Sequence, residues 1–406
     1  MPDRRDVLDA VVVGGGFAGL AVSGARKAAG LSHVVFERSR PCQTWLTQRW
    51  DSFRMNTPNL LTVMPGEAYR GPEPEGAMTR DEFVASVLAY AARHALPVES
   101  ATPVATVEPD PRGGFAVRTP QGVVRARNVV ATTGNLNVPR RPALAARLPA
   151  AVTQIDGSDY RSAADLRPGA VIVVGCGNSG GQIAEDLALA GRQVFLATGR
   201  NGRVPRRYRG RDIILWLLEN GRYDQPRSVQ SGRPLLGATH TLSLGSLSAL
   251  GITLLGRLAD VTAAGTLAIA DDLASNAAHA DTVSAAIRGE IDAYIAREGL
   301  DAEPATVDPA EAEPLRSPAP PIHELDLAAR GITTVIWSIG FSGDYRWLRV
   351  QGATDAAGQP AQSRCLSVPG IYFAGLDSLE ALKSGTIMVA ADESRRIADH
   401  IAARAG

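Results

Sequence analysis

Two stretches of this chain follow one plan: "AVVVGGGFAGLAVSGARKAAG" at residues 10–30 and "VIVVGCGNSGGQIAEDLALAG" at 171–191. Each is an apolar run, then three glycines in the spacing GxGxxG, then an alanine-rich run of helical periodicity. Such a run reads as a buried strand that turns at once into a helix. A strand followed directly by a helix is returned to the sheet as a parallel neighbour, so each stretch opens a βαβ unit. The expected fold class is α/β with two dinucleotide-binding (Rossmann-like) domains.

In the first unit the strand is read at 7–13, the helix at 17–29 and the second strand at 33–36. Gly14 permits the tight turn, Gly16 lets the backbone approach a pyrophosphate, and Gly19 lets helix and strand pack closely. Phe17 and Ala18 lie in that turn. Glu37, just past the second strand, is placed to accept from ribose hydroxyls, with Arg38 beside it. In the second unit the strand is read at 171–174, the helix at 179–190 and the next strand at 193–198. Gly175, Gly177 and Gly180 repeat the spacing, with Asn178 and Ser179 inside the turn. Its second strand ends "FLATGR", with Arg200 and no acid. A carboxylate there would repel a 2′-phosphate and an arginine pairs with one, so the second site favours NADPH over NADH.

The run "GRNGRVPRRYRGRD" reads either as a solvated basic loop or as a phosphate clamp. One or two of its arginines, Arg200 and Arg207, are expected at the cofactor and the rest in solvent. A nucleic-acid patch is disfavoured, because 42 basic residues balance 42 acidic ones and aromatics are few.

Around these units, residues 41–70 look irregular. "TRDEFVASVLAYAARHAL" reads as a helix with a capping box from Thr79 to Glu82. A β-meander precedes the linker "NVPRRP". Residues 236–300 look largely helical, 301–322 read as an exposed loop, and a closing helix is expected at about 386–403. The domain division expected is 1–150 for the first part of the first dinucleotide-binding domain, 151–338 for the NADPH-binding domain with a helical insert at 236–300, and 339–406 for the rest of the first domain.

The three cysteines contain no CxxC pair, which argues against a disulfide framework, a cysteine zinc site and a dithiol redox centre. The six histidines form no triad or metal pattern. The N-terminus lacks a signal-peptide h-region and no apolar run is long enough for a membrane span, so a cytoplasmic protein is expected.

The ordered set "GGGFAGL", "TWLTQRWDSFRMNTPNLLTVMPG", "VVATTGN", "GCGNSGGQIAEDL" and "GIYFAGL" resembles the flavin-containing monooxygenases, in the class B group that includes YUCCA-like enzymes and bacterial flavoproteins labelled for potassium transport. The resemblance covers nearly the whole chain. It implies FAD at the first turn, NADPH at the second, and insertion of one oxygen atom from O2 into a small organic substrate through a flavin C4a-peroxide. It implies flavin contacts from Trp45, Arg49 and Trp50, from Val104, Thr133 and Gly134, and from Gly375 and Thr386. Asn56, in "RMNTP", matches a position beside the reactive flavin carbon and is the candidate catalytic donor; it could equally cap a turn. The late segment "KSGTIMVAADE" resembles the helix whose N-terminus faces the flavin, with Gly385, Thr386 and Ile387 at that end.

One motif departs. Where the family carries a histidine in the inter-domain fingerprint, this chain has Asp156, within "LPAAVTQIDGSDYR". An aspartate cannot act as a cation there. An NADPH-driven dehydrogenase or oxidase without oxygen insertion therefore stands as an alternative, as does a non-catalytic flavoprotein. "IILWLLENG" and residues 236–300 could wall a substrate pocket, form plain core or serve as a homodimer face.

Overall fold

The computed structural model describes residues 7–226, 233–262, 265–363 and 365–405; part of the arginine- and glycine-rich stretch, 227–232, lies outside them. Strand Leu8–Val13 is central in the first sheet. It runs parallel to His33–Phe36 on one side and to the second half of Gly122–Ala131 on the other. Every side chain of it is buried except the half-buried Asp9, which accepts from the Ser32 amide and hydroxyl. A strand covered on both faces needs such a continuous apolar run. The expected meander is present: Thr106–Pro109, Phe115–Thr119 and the start of Gly122–Ala131 pair antiparallel.

The second sheet has five parallel strands in the order Thr253–Leu255, Val194–Ala197, Ala170–Val174, Ile332–Trp337, Thr153–Asp156. After it the chain returns to the first sheet, where Ile371–Phe373 lies parallel to Val129–Ala131. The second sheet is thus inserted in sequence between two neighbouring strands of the first, giving the nested α/β arrangement that two dinucleotide turns imply.

The helix Phe17–Ala28 after the first turn is packed from two sides. Leu20 and Ala21 join a core with Phe83 and Tyr90 of the helix Arg80–Arg93, while Val22 meets Ile397 and Ile401 of the closing helix. The capping box of Arg80–Arg93 forms as read: Thr79 Oγ1 accepts from the Glu82 amide at 3.2 Å, and Glu82 Oε2 accepts from the Thr79 amide at 2.8 Å.

Three expectations need correction. Residues 236–300 are not largely helical: the short helix Leu244–Ala249 and the long helix Leu273–Glu298 enclose strands Thr253–Leu255, Leu258–Val261 and Leu267–Ile269. An apolar run as short as "TLL" carries no period of its own, and pairing with Val194–Ala197 makes it a strand. The exposed stretch at 301–322 contains one helical turn, Pro309–Ala312, capped by Asp308. The closing α-helix spans Ala390–Ala405, preceded by a 3-10 turn at Ile387–Val389, so it begins later than its sequence suggested.

Candidate active site

One open cleft of about 1500 Å3 connects the two glycine turns. Gly14, Gly16, Phe17, Ala18, Glu37 and Arg38 line its first end; Gly175, Gly177, Asn178, Ser179 and Arg200 line its second. Within each turn the three glycines do different work. Gly14 and Gly175 have φ near +110° and +106°, and a Cβ would lie 2.8 Å from Thr132 O and 2.4 Å from Ser338 O. A Cβ on Gly19 would come within 2.0 Å of Gly14 O, and one on Gly180 within 1.8 Å of Gly175 O. These two glycines face the turn and not the cleft. A Cβ on Gly16 would meet nothing within 4 Å, and one on Gly177 only Asn201 Nδ2 at 4.0 Å. That open space above a helix N-terminus is where a pyrophosphate fits. Both turns therefore fit a dinucleotide.

Glu37 is nearly buried and held in place: its carboxylate accepts from the Gly15 amide at 2.7 Å and the Ser39 amide at 2.9 Å. Each oxygen keeps a lone pair for a ribose hydroxyl. At the other end Arg200 makes no ion pair with any described residue, while Arg257 and His279, which sequence reasoning did not single out, line the cleft with it.

The rest of the basic run is structural. Arg203 and Arg206 are buried, not solvated. Arg203 pairs with Asp281 and Glu311, and Arg206 with Asp212. Arg209 and Arg211 pair with Asp292 and Glu219. Arg207, expected at the cofactor, is not among the lining residues; it pairs with Glu75 at 2.8 Å on the outer surface. A run of arginines announces charge, and only the folded chain shows which carboxylate each one meets.

The same cleft is lined by Trp45, Arg49, Trp50, Asn56, Val104, Thr133, Gly134, Gly375 and Thr386. The Arg49 guanidinium sits 4.8 Å from the Trp45 ring centre and 5.6 Å from that of Phe53. Burial, with Arg161 nearby, pulls its pKa down to about 10, so it remains a cation at neutral pH. Thr386 precedes the 3-10 turn at Ile387–Val389, and its hydroxyl donates to Lys383 O at 2.6 Å. Arg233 anchors this segment from the second unit, donating to Leu382 O and Asp377 Oδ1, both at 2.8 Å, and to Ser384 O at 2.5 Å.

Asn56 is held at both ends. Its backbone carbonyl accepts from Arg206 Nη1 at 2.9 Å, and its side-chain Oδ1 accepts from Gln182 Nε2 at 2.9 Å. Sequence reasoning does not single out Gln182, and holds Arg206 only as one member of the basic run, since both act here through contacts more than a hundred residues away in the chain. The Asp156 carboxylate is bound by Arg141 in a two-pronged pair at 2.7 and 3.1 Å, which fixes it at the end of its strand beside the lining residues Gly157 and Ser158.

Cys42, Cys176 and Cys365 are free and buried. Burial pushes the Cys42 thiol up to about 12, with Glu37 adding to the shift, and raises the other two as well. None is poised as a thiolate. No group of side chains among the described residues could hold a metal ion, and no described helix is long and apolar enough to cross a membrane.

Residues 11–214 match the family model for pyridine nucleotide-disulphide oxidoreductases. The chain is 28% identical over 376 residues to an uncharacterized CzcO-like oxidoreductase of Geobacillus kaustophilus, covering 92% of each chain. It is 34% identical over 202 residues to the rice indole-3-pyruvate monooxygenase YUCCA1, covering 47% of this chain and 48% of that one. A solved flavin-containing monooxygenase from Stenotrophomonas maltophilia has the same fold, with TM-score 0.67 at 18% identity over 99% of this chain and 100% of that one. The chain belongs to the pyridine nucleotide-disulphide oxidoreductase family: it is an oxidoreductase, and within that family its likeness is to the flavin-containing monooxygenases.

Proposed function

We propose that this chain is an FAD- and NADPH-dependent monooxygenase that delivers one oxygen atom from O2 to a small organic molecule and releases the other as water. The observation that carries the reading is the single cleft, which joins both glycine turns and is lined as well by Asn56, Arg49 and residues 385–387. The domain division at about 150 and 338 goes with it, and each sheet draws its strands from one side of those boundaries.

Gly16 and the amides that follow would seat the FAD pyrophosphate, and Glu37 its ribose. Gly177 and its following amides would seat that of NADPH, with Arg200 at the 2′-phosphate. When bound, the two cofactors supply hydride transfer and activation of O2. The chain's part is positional. Trp45, Trp50 and Phe53 form an aromatic wall, which would help keep water from the reacting centre. Asn56 Nδ2, with no partner among the described residues, is a neutral hydrogen-bond donor facing the cleft. Ile214, Leu217, Leu236, Ile287 and Met388 line an apolar side of the cleft and would receive the organic substrate.

A second reading, an NADPH oxidase or dehydrogenase, is favoured by Asp156, whose carboxylate is neutralised by Arg141 and supplies no cation to the inter-domain strand. The FAD-loaded protein should oxidise NADPH and transfer heavy-oxygen label from O2 to at least one member of a panel of small amines, thioethers and carbonyl compounds. Recovery of all consumed O2 as hydrogen peroxide would favour the second reading. Absence of NADPH oxidation would refute both.

A further inference from the structure

Gln182 lies on the helix Asn178–Leu189 that follows the second glycine turn, yet its side chain reaches the first unit. It is 8% exposed. Both hydrogens of its amide nitrogen are committed: one to Leu236 O at 2.8 Å, the other to Asn56 Oδ1 at 2.9 Å. The direction of this chain of bonds is fixed at its far end. Leu236 is clamped by its own backbone, its amide donating to Asn178 Oδ1 at 2.9 Å, so its carbonyl is presented to Gln182. A carbonyl only accepts, so Gln182 must turn its nitrogen toward Leu236. Its second hydrogen then falls on Asn56, which must answer with oxygen. The Asn56 amide has one oxygen and one nitrogen, and the nitrogen is left for the cleft.

From this we infer that Gln182 is a positioning residue that sets the polarity of the Asn56 amide, so that a donor and not an acceptor faces the reacting centre. The inference rests on the reading of Asn56 as that donor. The helix carries it because Asn178, Gln182 and Asp186 repeat every fourth residue along one face. Asn178 holds the backbone of Leu236, Gln182 reads it, and Asp186 accepts from the Ser52 hydroxyl four residues before Asn56. The face that follows the NADPH turn thus grips the 52–56 segment of the FAD unit at two points.

Replacing Gln182 by glutamate keeps the shape and removes both donated bonds. A carboxylate at this position accepts from Asn56, which turns its nitrogen away from the cleft and its oxygen into it. The test is carried out on FAD-loaded protein with NADPH and O2 and no organic substrate, measuring the rate of hydrogen peroxide release. Asn56→Ala and Gln182→Glu should each raise that rate about tenfold or more, as expected for loss of one preorganised donor. The double variant should release no faster than either single one, and the KM for NADPH should stay within about twofold of wild type. Thermal unfolding of Asn56→Ala, Gln182→Met and their combination supplies a readout independent of turnover: the losses in Tm should be non-additive, as for bonded partners.

A plain tether between helix and loop would move Tm and leave peroxide release alone. Peroxide release at the wild-type rate in folded Gln182→Glu, with Asn56→Ala fast, overturns the inference and leaves the role of Asn56 intact. Additive Tm losses also overturn it. Wild-type peroxide release in Asn56→Ala overturns the reading of Asn56 itself.

Discussion

Two alanine substitutions three residues apart in the same turn should fail in opposite ways. At Gly180 a Cβ would lie 1.8 Å from Gly175 O and 2.8 Å from Gly175 C. The closest approach a real Cβ tolerates is 3.0 Å, so the helix must back away from the turn by at least 1.2 Å, that is, 3.0 less 1.8. Overpacking against immovable backbone costs roughly 1–3 kcal/mol or more. At about 2–4 °C per kcal/mol for a domain of this size, Gly180→Ala should lower Tm by roughly 2–12 °C. Gly177 is the opposite case. Its backbone, at φ −78° in its counterpart Gly16 and −73° here, is extended and suits alanine, and the nearest atom to a new Cβ is 4.0 Å away. Gly177→Ala should therefore leave Tm unchanged or raise it slightly, through the lower entropy of the unfolded chain. The methyl group stands where a pyrophosphate would press against the backbone, so the NADPH concentration for half-maximal flavin reduction should rise about tenfold, about 1.4 kcal/mol of binding. Thermal unfolding and anaerobic reduction of the FAD-loaded variants read the two effects separately. Unimpaired reduction of Gly177→Ala by NADPH would refute the second turn as a pyrophosphate seat. An unchanged Tm in Gly180→Ala would refute the packing argument.

Arg200 and Arg203 separate in the same manner. Arg200→Ala should raise KM for NADPH about tenfold while leaving KM for NADH unchanged, with the effect shrinking at high salt as charge pairing is screened; equal loss for both cofactors would count against a 2′-phosphate contact. Arg203→Met strips one of the two cationic partners from Glu311, whose side chain is 6% exposed, and should destabilise the fold by about 3–5 kcal/mol with little change in NADPH preference, as chemical denaturation and cofactor kinetics would show. Glu393 gives a pH signature. Burial lifts its carboxyl to about 7, so the folded state holds a proton that the unfolded state has released. Its contribution to stability is therefore present below about pH 4.5 and declines as pH rises to about 7. Glu393→Gln keeps an acceptor for the Gly375 amide and should abolish that decline relative to wild type in denaturant titrations across this range; a parallel pH dependence in the two proteins would contradict the buried, protonated carboxyl.

Local chemistry was legible in the sequence where neighbours in the chain decide it. The turn glycines, the Thr79–Glu82 box and the β-meander all depend on residues a few positions apart, and each was read in place. The nested order of the two units was legible too, because two βαβ starts with late apolar strands leave few alternatives. The closing α-helix starts later than its periodicity suggests because Thr386 makes a tight local turn with Lys383 before α-helical bonding begins. The arginine run is ambiguous in sequence for another reason. Nothing in "RVPRRYRGRD" says that Asp281, Glu311 and Asp292, on distant elements, come to meet it. Gln182 was invisible for the same cause: in the sequence it is one polar residue on an amphipathic helix, and its meaning comes from Leu236 and Asn56, which only the tertiary fold brings to it.

The return of Ile371–Phe373 to the first sheet has a consequence for how the protein is made. During synthesis, residues 8–131 emerge first, but the flank of Val129–Ala131 that faces Ile371–Phe373 has no partner until more than two hundred further residues have followed. The intervening sheet, with all five of its strands between residues 153 and 337, has everything it needs before that moment. The middle of the chain therefore completes its sheet first, while the sheet begun by residues 8–131 waits with an apolar edge open to other chains. Gly375 and Thr386, which line the cleft, arrive with that last strand, so a chain cut short before residue 371 keeps a sticky edge and an incomplete cleft.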